Sequence, residues 1–114
     1  MITLYGIKNC DSVKKARKWL DQQAIEYHFH DVRTDGISAA VIGHWVEQAG
    51  WETVLNKRGT TWRKLDASVQ QNTHSGNIVE LLLNNPTLIK RPVLDADDII
   101  MIGFNAERYQ TIFN

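Results

Sequence analysis

The stretch ITLYGIKNCDSVKKARKWL, residues 2–20, decides the fold. Ile2 to Tyr5 is apolar and rich in β-forming residues, and Gly6 breaks it, which reads as a short buried strand running into a loop. After Cys10, the apolar residues Val13, Ala16, Trp19 and Leu20 recur at the spacing of one helical face, with Lys14, Lys15, Arg17 and Lys18 around them. That periodicity predicts an amphipathic helix from Asp11 to about Gln23. Asp11 or Ser12 is the expected N-cap, because either side-chain oxygen can accept a hydrogen bond from a free amide of the first turn.

Downstream, Tyr27 to Val32 is aromatic and β-branched and predicts a second strand, closed by Thr34, Asp35 and Gly36. A strand–helix–strand unit with so short a connection makes the two strands parallel with a right-handed crossover. Ser38 is placed to cap a helix through Val41, Ile42, Trp45 and Val46 that ends near Gly50. A further apolar helical unit runs from about Gly76 to Asn84, after a polar stretch containing Arg58, Gly59, Thr60 and Thr61. Beyond Pro86, Lys90 to Leu94 and Asp98 to Ile102 read as a hairpin around the acidic Asp95, Ala96, Asp97 and Asp98, and Ala106 to Phe113 as a closing helix. The order is β, α, β, a helical insertion over about residues 37–86, then β, β, α. It predicts an α/β domain with a mixed four-stranded sheet and flanking helices. A chain of 114 residues, 43% apolar, suits a single domain over 1–114.

Composition narrows the function. Lys plus Arg equals Asp plus Glu at 13 each, so there is no overall field to gather nucleic acid, and none is expected as a partner. No apolar run approaches the roughly 18 residues of a membrane span, and the start MITLYGIKNC carries no basic segment followed by a long apolar one. A soluble, cytoplasmic monomer without membrane contacts is therefore expected. His28, His30, His44 and His74 lack the spacing of a zinc site, and Asp95, Asp97 and Asp98 read as a solvated turn, so no metal is expected. His28 and His30 fall on one face of a strand, exposed. Trp19, Trp45, Trp51 and Trp62 have no basic stripe beside them and read as packing residues.

The single cysteine carries the chemistry. Cys10 follows a strand and a loop and directly precedes a helix, so its sulfur is expected to face the positive end of that helix, a setting that favours the thiolate. Lys8, Lys14 and Lys15 can add positive charge. The other reading of such a residue is a small buried hydrophobe. With no second cysteine in the chain, no internal disulfide can form, and redox chemistry must recruit a thiol from outside. Pro92 at the start of a strand removes a ladder donor, which fits either a cis bond or a trans proline at the strand's first position.

Three motifs in order, Tyr5-Gly6-Ile7-Lys8-Asn9-Cys10, Asn56-Lys57-Arg58-Gly59 and Ile89-Lys90-Arg91-Pro92-Val93, resemble the ArsC/Spx family over essentially the full chain, and within it the YffB-like branch. The resemblance implies a thioredoxin-like fold with a helical insertion, a cis bond between Arg91 and Pro92, and Cys10 as nucleophile. Arsenate-reducing members form a thiol–arsenate adduct that glutathione and glutaredoxin resolve, and hold the oxyanion with arginines. Arg58 and Arg91 match two of these. The third belongs just after Gly103, where Phe104 stands, with Arg108 about a helical turn further on, and the family's histidine ahead of the nucleophile is replaced by Gly6. Val13 occupies the second cysteine position of the CxxC switch of Spx-type regulators.

What these matches leave is a glutathione-dependent thiol reductase. Cys10 is its nucleophile, Lys8 tunes the thiolate, and Arg58 and Arg91 hold the carboxylates of glutathione through their fixed forks of N–H donors. Glutathione is then a co-substrate, glutaredoxin a further partner, and no tightly bound cofactor is expected. An arsenate reductase and a non-catalytic regulator that binds RNA polymerase are the alternatives.

Overall fold

The computed structural model describes residues 1–97 and 99–113; Asp98, assigned above to the acidic turn and to the start of the last strand, lies outside the described residues. The elements in chain order are β1 (Ile2–Gly6), α1 (Asp11–Gln22), β2 (His28–Asp31), α2 (Ala39–Ala49), α3 (Trp51–Val54), α4 (Thr60–Arg63), α5 (Ala67–Asn72), α6 (Ile78–Asn84), a 3-10 turn (Pro86–Leu88), β3 (Val93–Ala96), β4 (Ile99–Ile102) and α7 (Ala106–Phe113). The chain forms two compact units, Met1–Gly36 with Arg91–Asn114, and Ile37–Lys90.

The first unit holds a four-stranded sheet in the order β2-β1-β3-β4. β1 runs parallel to β2 and antiparallel to β3, and β3 and β4 are antiparallel. The registers align Phe29 with Leu4, Leu4 with Leu94, and Leu94 with Met101, so a single apolar row crosses all four strands. Because side chains alternate along a strand, this row lies on one face of the sheet. α1 and α7 cover it: Leu4, Leu94 and Met101 form one buried cluster with Ala16, Leu20 and Tyr109. Trp19 and Phe104 meet the Tyr109 ring edge-on, at 5.7 and 4.9 Å between centroids. On the alternate positions, Thr3 pairs with His28 and Asp95, and Tyr5 with His30, leaving a polar row that is only partly covered. This mixed sheet with helices packed on it is a thioredoxin-like fold.

Several boundaries differ from the sequence reading. The second strand is shorter, His28–Asp31, because the chain turns at Asp35, whose amide donates to the Asp31 carbonyl at 2.8 Å. The third begins at Val93, not Lys90: Pro92 has no amide to donate, and the Lys90 amide is already bonded to the Val54 carbonyl at 2.8 Å. Asp95 and Ala96 consequently belong to β3 and not to the acidic turn. Asp97, at φ 48, accepts from the amino group of Met1 at 2.7 Å on the exposed surface.

The second unit is helical. Ser38 caps α2 as expected, its hydroxyl accepting from the Val41 amide at 3.2 Å. Gly50, at φ +88, ends α2 and starts α3 in a conformation that L side chains rarely adopt. α2 packs on α3 and α6, and Ile42, Trp45, Val54, Ile78, Leu82 and Leu88 are fully buried. The expected helix from Gly76 begins two residues later, at Ile78.

α1 lies tight against the end of β1. A Cβ on Gly6 would lie 2.7 Å from Cγ2 and 3.0 Å from Cγ1 of Val13, which is itself fully buried. Gly6→Ala should therefore destabilise the protein by about 1–3 kcal/mol, the usual cost of overpacking. Adding Val13→Ala to it should recover part of the urea midpoint, although Val13→Ala alone lowers it. An additive pair would show that the two positions do not share this space.

Candidate active site

The loop from Ile7 to Cys10 joins β1 to α1, and Cys10 itself is the N-cap, with φ −112 and ψ 125. This corrects the expectation for Asp11 or Ser12: both are already helical, because the backbone changes from extended to helical immediately after Cys10. The Cys10 carbonyl accepts from the Lys14 amide at 2.9 Å, closing the first turn. Its side chain makes no capping bond, is free of any disulfide and is partly exposed. The first amides of α1 have no partner within the helix, and together they form its positive end. Cys10 thus combines an accessible sulfur with a helix start that has no side-chain cap.

Lys8 is exposed in the same loop. The peptide bond between Arg91 and Pro92 is cis. Tyr5 pairs with Val93, so continuing that antiparallel register sets Pro92 opposite Gly6, at the end of the sheet from which the Cys10 loop departs. The Pro92 carbonyl accepts from the Gly103 amide at 2.8 Å, which ties the same end to the segment leaving β4. Lys8, Cys10, Arg91 and Pro92 therefore belong to one unit, and Arg58 to the other. Within its own unit Arg58 is exposed, in a short connection pinned by Asn56: the Asn56 side-chain oxygen accepts from the Arg58 amide at 3.1 Å, and the Asn56 amide donates to the Leu88 carbonyl at 2.8 Å. Neighbouring Lys57 reaches over the rings of Trp51 and Trp62, at 5.6 and 5.8 Å.

Phe104, at the position where the family resemblance implies a third arginine, packs against the core beside Tyr109. Arg108 is exposed on α7. His28 and His30 share a face, with ring centroids 6.5 Å apart, and a His30 ring nitrogen lies 2.6 Å from the Gly36 carbonyl oxygen. Among the described residues no three His, Cys, Asp or Glu side chains are grouped as a metal site, and no helix is long and apolar enough to cross a membrane.

One residue near the loop escaped the sequence reading. Asp31 ends β2 opposite Gly6 and is only 5% exposed. Its Oδ1 accepts from the amides of Arg33 and Thr34 at 2.8 and 3.3 Å. The Arg33 amide is the main cause that holds the carboxyl below its ordinary value; burial opposes it, and the Thr34 amide and Lys8 reinforce it. A strand ending HFHD before a turn was the available signal, but an aspartate there reads as a turn residue until its burial is known.

A thioredoxin-like domain with one partly exposed cysteine at the start of its first helix defines a class of thiol-bearing proteins. Comparison with known proteins gives the family: the sequence model of the ArsC family matches residues 5–112, and the chain belongs to that family. An uncharacterized protein of Haemophilus influenzae is 48% identical over 99% of both chains. The solved structure of YffB (PA3664) superposes with a TM-score of 0.94 at 42% identity, covering 97% of each chain. The global transcriptional regulator Spx of Streptococcus pyogenes is 28% identical over 100% of this chain and 86% of its own.

The environment of Asp31 predicts acid sensitivity. As pH falls, the unfolded chain takes up this proton first, so the contribution of Asp31 is complete above the ordinary value of 3.8 and is lost as pH drops through the lower folded-state value. Urea midpoints measured from about pH 5 to pH 3 should fall less steeply for Asp31→Asn than for the parent. Equal slopes would mean that the carboxyl is not held below its ordinary range.

Proposed function

We propose that this protein is a glutathione-dependent thiol reductase with Cys10 as its nucleophile. One observation carries the reading: the chain's only cysteine is accessible, unbridged, and set at the start of α1 in a thioredoxin-like fold. The Cys10 thiolate attacks the glutathione sulfur of a mixed disulfide R–S–S–G, forming Cys10–S–S–G and releasing RS⁻, which takes up a proton. A second glutathione thiolate attacks the sulfur of the bound glutathione, giving oxidised glutathione and restoring the Cys10 thiolate. The substrate gains two electrons and glutathione supplies them. Val13 at the position of a second cysteine is buried against Gly6, so resolution by an external thiol is the route open to this chain.

Lys8 and Arg91, in the unit that holds Cys10, are assigned to the carboxylates of glutathione, since charge-assisted bonds from a guanidinium or an ammonium suit a ligand that carries two of them. The register that sets Pro92 opposite Gly6, at the end of the sheet from which the Cys10 loop departs, supports Arg91 in this role. Glutaredoxin is the partner assigned to regenerating Cys10 where a glutathionylated enzyme accumulates.

Two other readings have support of their own. Full-length similarity to Spx favours a regulator that binds RNA polymerase and needs no turnover at Cys10. Membership of the ArsC family favours arsenate as the oxidised substrate. Against arsenate stands Phe104, packed on Tyr109 where the family's third arginine would be.

The deciding assay follows reduction of a glutathionylated peptide by glutathione. Cys10→Ser should abolish turnover. Arg91→Ala should raise KM for glutathione about tenfold, the loss of one charge-assisted hydrogen bond, and should weaken protection of Cys10 from iodoacetamide by S-methylglutathione. Undiminished turnover in Cys10→Ser would refute the mechanism, and RNA polymerase capture that survives Cys10→Ser would move the regulator reading to first place.

A further inference from the structure

Of the four tryptophans, Trp45 is fully buried and Trp19 packs on the sheet core, whereas Trp51 and Trp62 are partly exposed on α3 and α4 of the helical unit. The Lys57 ammonium lies over both of these rings, at 5.6 and 5.8 Å from their centroids, so the two indoles and the charge share one surface. Arg58, Arg63 and Lys64 adjoin them in the chain and are exposed, and no acidic residue stands between Thr53 and Leu65. The expectation that the tryptophans have no basic residues beside them therefore fails for this pair.

The backbone that carries this cluster is held at several points. The Asn56 side-chain oxygen accepts from the Arg58 amide, the Thr61 and Thr87 hydroxyls lie 2.9 Å apart, and the Gln70 side-chain amide donates to the Trp62 carbonyl at 2.7 Å. Yet Lys57, Arg58, Arg63 and Lys64 make no ion pair among the described residues. A lysine that serves only solubility gains nothing from lying over two rings, while one held there loses less side-chain freedom when it meets an anion. The chain as a whole has no net charge, so four unpaired cations within eight residues favour an anionic partner at this face alone. Indole faces already occupied by an ammonium are not open to stacked bases, which favours carboxylates over single-stranded nucleic acid.

We propose that Trp51, Lys57, Trp62 and Arg63 form a docking surface for an acidic segment of a partner protein. Lys57 supplies the fixed charge at its centre, the partly exposed indoles supply apolar contact area, and Arg58, Arg63 and Lys64 extend the positive field. Tryptophan and arginine are the residue types that dominate binding energy at protein interfaces, and here they stand together on short helices beside a restrained lysine. The surface belongs to the helical unit and is a property separate from the chemistry of Cys10.

The test follows binding of fluorescein-labelled octaglutamate to the full chain by fluorescence anisotropy at low salt. Octaglutamate should bind, and Lys57→Gln should weaken it about fivefold, the upper range for an exposed ion pair. Lys18→Gln removes the same charge from the exposed face of α1 and should change binding by less than about twofold. Trp51→Leu and Trp62→Leu leave every charge in place, yet each should weaken binding about threefold by releasing Lys57. The proposal is overturned by absence of binding, by equal losses in Lys57→Gln and Lys18→Gln, or by undiminished binding in both tryptophan variants. Tighter binding of an eight-nucleotide oligothymidylate than of octaglutamate would overturn it in favour of nucleic acid. Should the tryptophan variants not fold, the comparison of Lys57→Gln with Lys18→Gln still decides. No turnover at Cys10 enters the measurement, so its outcome is independent of the nucleophile reading.

Discussion

The first unit depends on how closely α1 approaches the end of β1. Helix and sheet can meet there because position 6 has no side chain: Val13 occupies the space that a Cβ on Gly6 would need. The rest of the apolar face of α1 follows from that contact, with Ala16 and Leu20 set over Leu4 and Leu94 and the row they begin across the sheet. The chemistry follows too. With Val13 fixed on Gly6, the loop between them is short, and the helix must start directly after Cys10. A larger residue at position 6 would lift the first turn of α1 and move the sulfur with it. The histidine that arsenate reductases carry ahead of the nucleophile is absent here at a position where this packing leaves no room for it.

The same economy of space explains Phe104. Where the family resemblance implies an oxyanion-binding arginine, the partly buried Phe104 ring packs edge-on against Tyr109, against the core formed by α1, α7 and the sheet. A guanidinium could not take that place without giving up an aromatic contact and burying a charge that lacks a counter-ion. Burial raises the Tyr109 hydroxyl well above its ordinary value and keeps it neutral, with the Gly103 carbonyl 3.5 Å away as its acceptor.

Much of this was legible in the sequence where the signal is local and periodic. Val13, Ala16, Trp19 and Leu20 announced α1, Ser38 announced its own cap, and the strand–helix–strand order fixed β1 and β2 as a parallel pair. The misreadings have particular causes. Asp11 and Ser12 are good capping residues by type, but the cap is set by where the backbone stops being extended, and the tight turn from Gly6 puts that point at Cys10. The strand expected from Lys90 starts only at Val93, because the Lys90 amide is taken by the Val54 carbonyl, a partner distant in sequence. Between residues 51 and 72 the helices are four to six residues long, too short to display a helical period, so the region could be read as helical without its elements being separable.

Asp31 marks the limit of such reading. Nothing in HFHDVRTDG distinguishes an aspartate that begins a solvated turn from one buried beside the loop of another strand, because the distinction lies in pairing Gly6 with Asp31 across a crossover of more than twenty residues. Once that pairing is made, the location of a charge in the interior stops being anomalous. The exits of two parallel strands bring unpaired amides together at one end of the sheet, and a carboxylate is the side chain that can accept several of them at once. The polar demand of the β2 turn is then met by one group, which takes the Arg33 and Thr34 amides together.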